Sequence, residues 1–128
     1  MTVRIKQAFL ILAFGMVAAI ALLYGVSPRW FARSFLGVVD LNPNVAHILR
    51  AVMGLYMGLG LFWLFAAFSA KHRNTAVLTT LVFVAGLVSG RIVSLFADGL
   101  PSPLLVFYTV TELALAPVAY WIYRRPEV

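Results

Sequence analysis

Cysteine is absent from this 128-residue sequence, and charged residues make up only 11% of it. Without cysteine the chain has no disulfide, no thiolate metal ligand and no thiol redox chemistry of its own. Ordinary soluble domains carry about 25% charged residues, so the polar residues here are too few to cover a water-soluble globule. Apolar residues are abundant instead, at 63%. The composition predicts one membrane domain over residues 1–128.

Four apolar stretches are long enough to cross a bilayer, which takes about 20 helical residues. They cover residues 8–26, 45–69, 75–97 and 104–123. Asn42-Pro43, just before the second stretch, is typical of a helix start. The last three stretches are joined by short connections, which favour antiparallel neighbours. The sequence therefore predicts an all-α fold, an integral membrane four-helix bundle.

The first stretch has an alternative interpretation as a signal peptide that is removed. Residues 1–7 resemble a charged n-region, and Ala-Ile-Ala at 19–21 has the small-residue form of a cleavage site. The apolar run continues through Leu22 to Tyr24, however, and this is longer than the usual apolar h-region of a signal peptide. We therefore expect a retained membrane span.

A short amphipathic segment lies between the first two spans. Ser27 and Pro28 suit a helix start. The polar stripe of the segment consists of Arg29, Arg33, Gly37 and Asp40, and its opposite side of Trp30, Phe31, Phe35 and Val38. This pattern predicts an interfacial helix over residues 28–40. Two roles remain open for it, a surface connector or a lid and docking surface over the bundle.

The distribution of Lys and Arg predicts the orientation of the spans, because cytoplasmic loops carry an excess of these residues. With both termini cytoplasmic, the inner side holds Arg4, Lys6, Lys71, Arg73, Arg124 and Arg125. The outer side then holds only Arg29 and Arg33. We expect N- and C-termini in the cytoplasm. The basic residues flank spans and form no basic face, so nucleic acid is not an expected partner.

Ionisable residues within the spans are the candidate functional residues, because a charge at the bilayer centre costs about 2.5–3.5 kcal/mol on insertion scales. Arg50, Arg91 and Glu112 all fall in the outer half of their spans, and Asp98 closes the third span. We expect one polar cluster that opens outward. Its predicted members are His47, Arg50, Arg91, Ser94, Asp98, Tyr108 and Glu112.

Two interpretations of this cluster remain open. It is either an ion-pair network that holds the helices in register or a binding or transport site. Two arginines beside one carboxylate, Arg50 and Arg91 with Glu112, would suit an anionic lipid head group or a small anion.

Small residues recur at helical spacing in the second and third spans. Gly54 and Gly58 continue the face of Arg50, and Gly86 and Gly90 form a second G-x-x-x-G. Such spacing lets helix backbones approach closely, so these glycines are predicted to mediate helix packing.

Several chemistries are not expected. No nucleophile elbow, phosphate loop or H-E-x-x-H helix is present. His47 and His72 are predicted at opposite membrane surfaces, about 30 Å apart, so they cannot share a metal or haem. We expect no metal site and no cofactor.

Two motifs carry a resemblance to a known family. They are Arg50-x3-Gly54-x3-Gly58 and Gly90-Arg91-x2-Ser94-x3-Asp98-Gly99-x-Pro101-Ser102-Pro103. The chain resembles a family of small bacterial inner-membrane proteins that is known only as a domain of unknown function. The resemblance implies a four-span architecture in the bacterial inner membrane and implies no activity. A looser similarity is to the DoxX-like four-helix membrane proteins, whose thiol-quinone chemistry is not expected in a chain without cysteine.

The sequence favours a non-enzymatic membrane protein, either an accessory subunit of a larger complex or a homo-oligomer, because no complete catalytic constellation is present. The alternative is a small transporter or a lipid- or anion-binding protein that uses a pocket of Arg50, Arg91 and Glu112. An enzyme that acts on a lipid or quinone head group is a third interpretation.

Overall fold

Four long helices make up most of this protein, whose computed structural model describes residues 2–126. The ends of the predicted domain, Met1 and residues 127–128, lie outside this range. The long helices are α1 (Thr2–Gly25), α3 (Pro43–Ala67), α4 (Arg73–Asp98) and α5 (Pro103–Arg124), with the short α2 (Pro28–Phe31) after α1. Each long helix has the length and composition to cross a membrane, and residues 2–126 contain no strand. The predicted all-α membrane bundle with a short helix between spans 1 and 2 is confirmed.

Two of the helices, α2 and α3, begin at side chains that cap their first turns. The Asn42 side chain accepts a hydrogen bond from the Asn44 backbone N–H at 2.8 Å, with Pro43 in the first turn of α3. The Ser27 Oγ accepts from the Trp30 N–H at 3.4 Å at the start of α2. These contacts satisfy backbone donors that have no partner within the helix.

The segment after α2 is shorter than predicted. It continues as a π-helical turn over Ala32–Leu36 and stops at Gly37, whose φ of +71° is left-handed. Glycine adopts this conformation without a steric penalty, and it commonly ends a helix there. The predicted helix over residues 28–40 therefore ends at Leu36.

The bundle consists of two closely packed helix pairs, α1 with α3 and α4 with α5, while contacts between the pairs are sparser. In the first pair, a Cβ atom on Gly60 would lie only 2.8 Å from Val17 Cγ1. The two backbones can therefore approach closely at this point because glycine has no side chain.

Polar contacts join the two pairs near the end of the bundle that contains Lys6, which we call the Lys6 end. The Lys6 ammonium donates to Asn74 Oδ1 at 2.8 Å, and the Trp63 indole N–H donates to Thr79 Oγ1 at 3.1 Å. Lys6 is 1% exposed, so this predicted flanking cation lies inside the helix bundle. One of its N–H donors is satisfied there by a side chain of α4.

At the opposite end of the bundle, which we call the Asp98 end, α4 extends further than α1. Lys6 of α1 and Asn74 of α4 lie side by side. Tyr24 follows Lys6 by 18 residues and Arg91 follows Asn74 by 17, so Tyr24 and Arg91 lie at nearly the same level along the bundle. Helix α4 continues seven residues further, to Asp98. Beyond the end of α1, the buried ring of Phe31 packs edge-on against Tyr24, with 4.8 Å between the ring centroids. The α2 segment therefore covers Tyr24.

Candidate functional site

An ion pair between α4 and α5 lies inside the bundle. The Arg91 Nε–H donates to Glu112 Oε2 at 2.6 Å, and a second guanidinium N–H donates to Oε1 at 3.1 Å. The side chains of Arg91 and Glu112 are 20% and 11% exposed. Two parallel hydrogen bonds of this kind are the strongest geometry available to an arginine and a carboxylate. Each charge thus has its counter-charge within a membrane-spanning part of the protein.

Three tyrosines surround this pair. The Arg91 Cζ lies 5.7 Å from the centroid of the Tyr108 ring, within the range of a cation–π contact. The Tyr24 hydroxyl also contacts the Arg91 guanidinium. The Tyr24 ring lies 6.1 Å from that of Tyr56 and 6.3 Å from that of Tyr108. The charged pair is therefore bordered by aromatic rings from three helices.

Some hydrogen-bonding groups of the site remain available. Arginine has five N–H donors, and Arg91 uses two of them on Glu112. The Tyr56 and Tyr108 hydroxyls make no hydrogen bond with the described residues. The only side-chain polar atom of residues 2–126 that is both sealed from solvent and without a partner is Ser102 Oγ. The Tyr56 and Tyr108 hydroxyls therefore face open space.

The open space on one side is the α1–α5 cleft, a cavity of about 240 Å³. Its walls are mainly aliphatic and aromatic side chains, among them Leu12, Met16 and Phe107. The polar groups Arg91 and Glu112 lie in the same cavity. The cleft is therefore a largely apolar space that contains one ion pair.

The α3–α4 cleft lies on the other side and is a wider groove of about 720 Å³. Of the described residues that line it, only Arg91 is charged. The two clefts share a set of lining residues that forms the wall between them. This wall consists of Tyr24, Tyr56, Phe83, Leu87 and Arg91.

The predicted cluster of seven residues separates into parts. Arg91, Tyr108 and Glu112 come together. Ser94 and Asp98 form an exposed pair, in which Ser94 Oγ donates to Asp98 Oδ2 at 2.7 Å.

The α3 members of the cluster lie elsewhere. His47 and Arg50 are exposed on α3 and line neither cleft. The Arg50 guanidinium has no ion-pair or hydrogen-bond partner among the described residues. Arg50 does not share Glu112 with Arg91, because the face of α3 that carries it points away from the helix pair α4–α5.

The four glycines predicted to mediate packing lie on open faces. Gly54, Gly58, Gly86 and Gly90 are exposed, and an added Cβ at any of them would meet nothing within 4 Å among residues 2–126. Within this chain, they therefore make no close helix–helix contact.

Sequence reasoning missed two residues of the site. Tyr24 was noted as the end of the first apolar stretch, but it is 7% exposed and lies beside Arg91. Tyr56, 8% exposed, was not singled out at all. The available signal was that a tyrosine buried in a bundle usually needs a partner for its hydroxyl.

No group of three or more His, Asp or Glu residues suited to a metal ion occurs within residues 2–126. The site itself consists of a guanidinium, a carboxylate and phenols.

The family described as "Domain of unknown function (DUF4345)" matches residues 5–123, and the chain belongs to this family. No curated protein and no solved structure matches the chain.

Proposed function

We propose that this integral membrane protein binds an amphipathic small molecule within the bilayer. Its polar head contacts the Arg91–Glu112 pair and its apolar chain occupies the α1–α5 cleft. The observation that carries the proposal is the composition of this cleft, which is largely apolar and contains a single ion pair. Small-molecule pockets in proteins have this composition, in which a few polar groups orient a largely apolar ligand.

The size of the cleft supports the same function. Protein interiors are close-packed and contain few voids larger than a water molecule. A volume of about 240 Å³ approaches the range of roughly 300–1,000 Å³ that is typical of ligand pockets. Apolar cavities of roughly 150 Å³ stay dry and bind apolar molecules. An apolar chain therefore suits the cleft better than water does.

Native mass spectrometry of the protein, extracted gently from its own membrane, tests this function. Ala13 lines the cleft, so Ala13→Phe places a ring in the space of the ligand. Ala8 is exposed on the same helix and lines neither cleft, which makes Ala8→Phe the matched control. We expect the wild type and the control to retain a stoichiometric small molecule and Ala13→Phe to lose it. A wild-type protein that carries no such molecule would contradict the proposal.

A second candidate is a non-enzymatic accessory subunit or homo-oligomer, and the open glycine faces of α3 and α4 favour it. Gly58→Leu would block a close approach by another helix. Gly15→Leu is the control, because Gly15 is equally open but lies on α1. We expect Gly58→Leu alone to reduce the assembly mass in native mass spectrometry. Equal masses for both variants and the wild type would argue against this role.

For the location, we infer the bacterial inner membrane with both termini cytoplasmic. The inference is supported by the cation distribution, six flanking Lys and Arg on one side against two on the other. Reporter fusions at residue 72 and at the C-terminal end are both expected to report the cytoplasm. A periplasmic signal at either position would overturn the orientation.

A further inference from the structure

The net charge of the site indicates the chemical class of its ligand. We propose that the Arg91–Glu112 site takes an amphipathic molecule with an uncharged head group that carries a hydrogen-bond acceptor, such as a carbonyl oxygen. This inference rests on the proposed function and specifies its ligand. It replaces the sequence-based expectation of an anion, which required Arg50 to lie beside Arg91.

Among residues 2–126, Arg91 and Glu112 are the only charged side chains that line either cleft. Their bidentate contact leaves the site with no net charge. An anionic head would therefore enter a low-dielectric space without an uncompensated positive charge to receive it. Burying a charge without a counter-charge is strongly unfavourable, whereas a neutral polar group requires only hydrogen bonds.

The available groups of the site are mainly hydrogen-bond donors. The guanidinium has N–H groups beyond those that it gives to Glu112, and the Tyr56 and Tyr108 hydroxyls can each donate. Their oxygen atoms are not sealed from open space. A head group with an acceptor oxygen satisfies such donors. A head with donors alone would leave them without partners.

Three probes with the same twelve-carbon chain test the inference on the full-length protein in lipid nanodiscs at pH 9. They are dodecanamide, dodecanoate and dodecylammonium, whose heads are neutral, anionic and cationic. We expect the wild type to bind the amide about 10-fold more tightly than either ion, since a charged head costs more than about 1.4 kcal/mol to bury.

Charge-changing variants locate the head group. Glu112→Gln leaves Arg91 without its counter-ion, so the preference is expected to shift toward dodecanoate by about 10-fold or more. Arg91→Gln is expected to shift it toward dodecylammonium. Asp98→Asn and Arg50→Gln make the same charge changes outside the clefts, and we expect them to change the ranking by less than about twofold.

The outcomes separate the inference from the function on which it rests. If no probe binds the wild type, the proposed function is wrong. If dodecanoate binds the wild type as tightly as the amide does, the proposed function stands, but the inference of an uncharged head group is wrong. If folded Glu112→Gln keeps the wild-type ranking, the head does not lie at the ion pair. The wild-type ranking needs no variant, so a variant that fails to fold leaves the test intact.

Discussion

Two arginines lie at the same depth in this protein but have opposite surroundings. Arg50 follows the start of α3 by seven residues and Arg91 precedes the end of α4 by seven, so each lies about 10 Å from the Asp98 end. Arg91 is paired with Glu112 inside the bundle. Arg50 is exposed and unpaired among the described residues. Equal depth therefore does not bring two charges together.

The difference lies in the face of the helix that each residue occupies. Helix α4 turns Arg91 toward its close partner α5, while α3 packs mainly on α1 and leaves Arg50 outside. A long arginine side chain near a helix end can extend its charge toward the membrane surface. The charge of Arg50 can thus remain hydrated, whereas the charge of Arg91 needs a carboxylate partner.

The largest expected effect concerns the buried arginine. Glu112→Gln removes the counter-charge of Arg91, and breaking a buried pair costs about 3–5 kcal/mol. Because Arg91 is 20% exposed, we expect a loss near or below the lower limit of that range. Thermal unfolding in detergent measures it.

A double-mutant cycle provides the control for this pair. Arg91→Gln combined with Glu112→Gln is expected to recover part of the loss, since no unpaired charge then remains. Losses that simply add would show that the ion pair does not stabilise the bundle.

A smaller change in stability is expected from alanine substitutions at two glycines on different faces of α3. Gly60→Ala places a methyl group 2.8 Å from Val17 Cγ1, and overpacking of this kind typically costs about 1–3 kcal/mol. Gly58→Ala, only two residues earlier, meets nothing. It should gain up to about 1 kcal/mol from the higher helix propensity of alanine. Equal changes in unfolding temperature would mean that α1 and α3 do not pack at Gly60.

The smallest effect is expected at the exposed arginine. Arg50→Gln removes a side chain that has no partner among residues 2–126, so stability should change by less than about 0.5 kcal/mol. A loss as large as that of Arg91→Gln in the same unfolding assay would place Arg50 in an ion pair and remove the contrast between the two arginines.

The sequence by itself determined the membrane environment of this protein and the positions of its long helices. Runs of about 20 apolar residues are suited to the hydrocarbon core of a bilayer. Such a segment crosses the bilayer as a helix, because each backbone polar group then finds its hydrogen-bond partner within the segment. Capping residues such as Asn42 and Ser27 marked where helices begin. The sequence also predicted that Arg91, Tyr108 and Glu112 lie near one another, because ionisable residues within spans face the bundle interior and Tyr108 is one helical turn from Glu112 on α5. The structure brings these three side chains together.

Only the tertiary structure decided which helix faces meet. Helical spacing determines which residues share a face, but a bundle in lipid has no hydrophobic stripe to show which face points inward. The pairing of α1 with α3 and of α4 with α5 placed Gly60 at a close contact and left Gly58 open. The same pairing separated Arg50 from Glu112, while the sparser contact between α1 and α4 brought Tyr24 beside Arg91, so the site is a charge-balanced pair bordered by tyrosines.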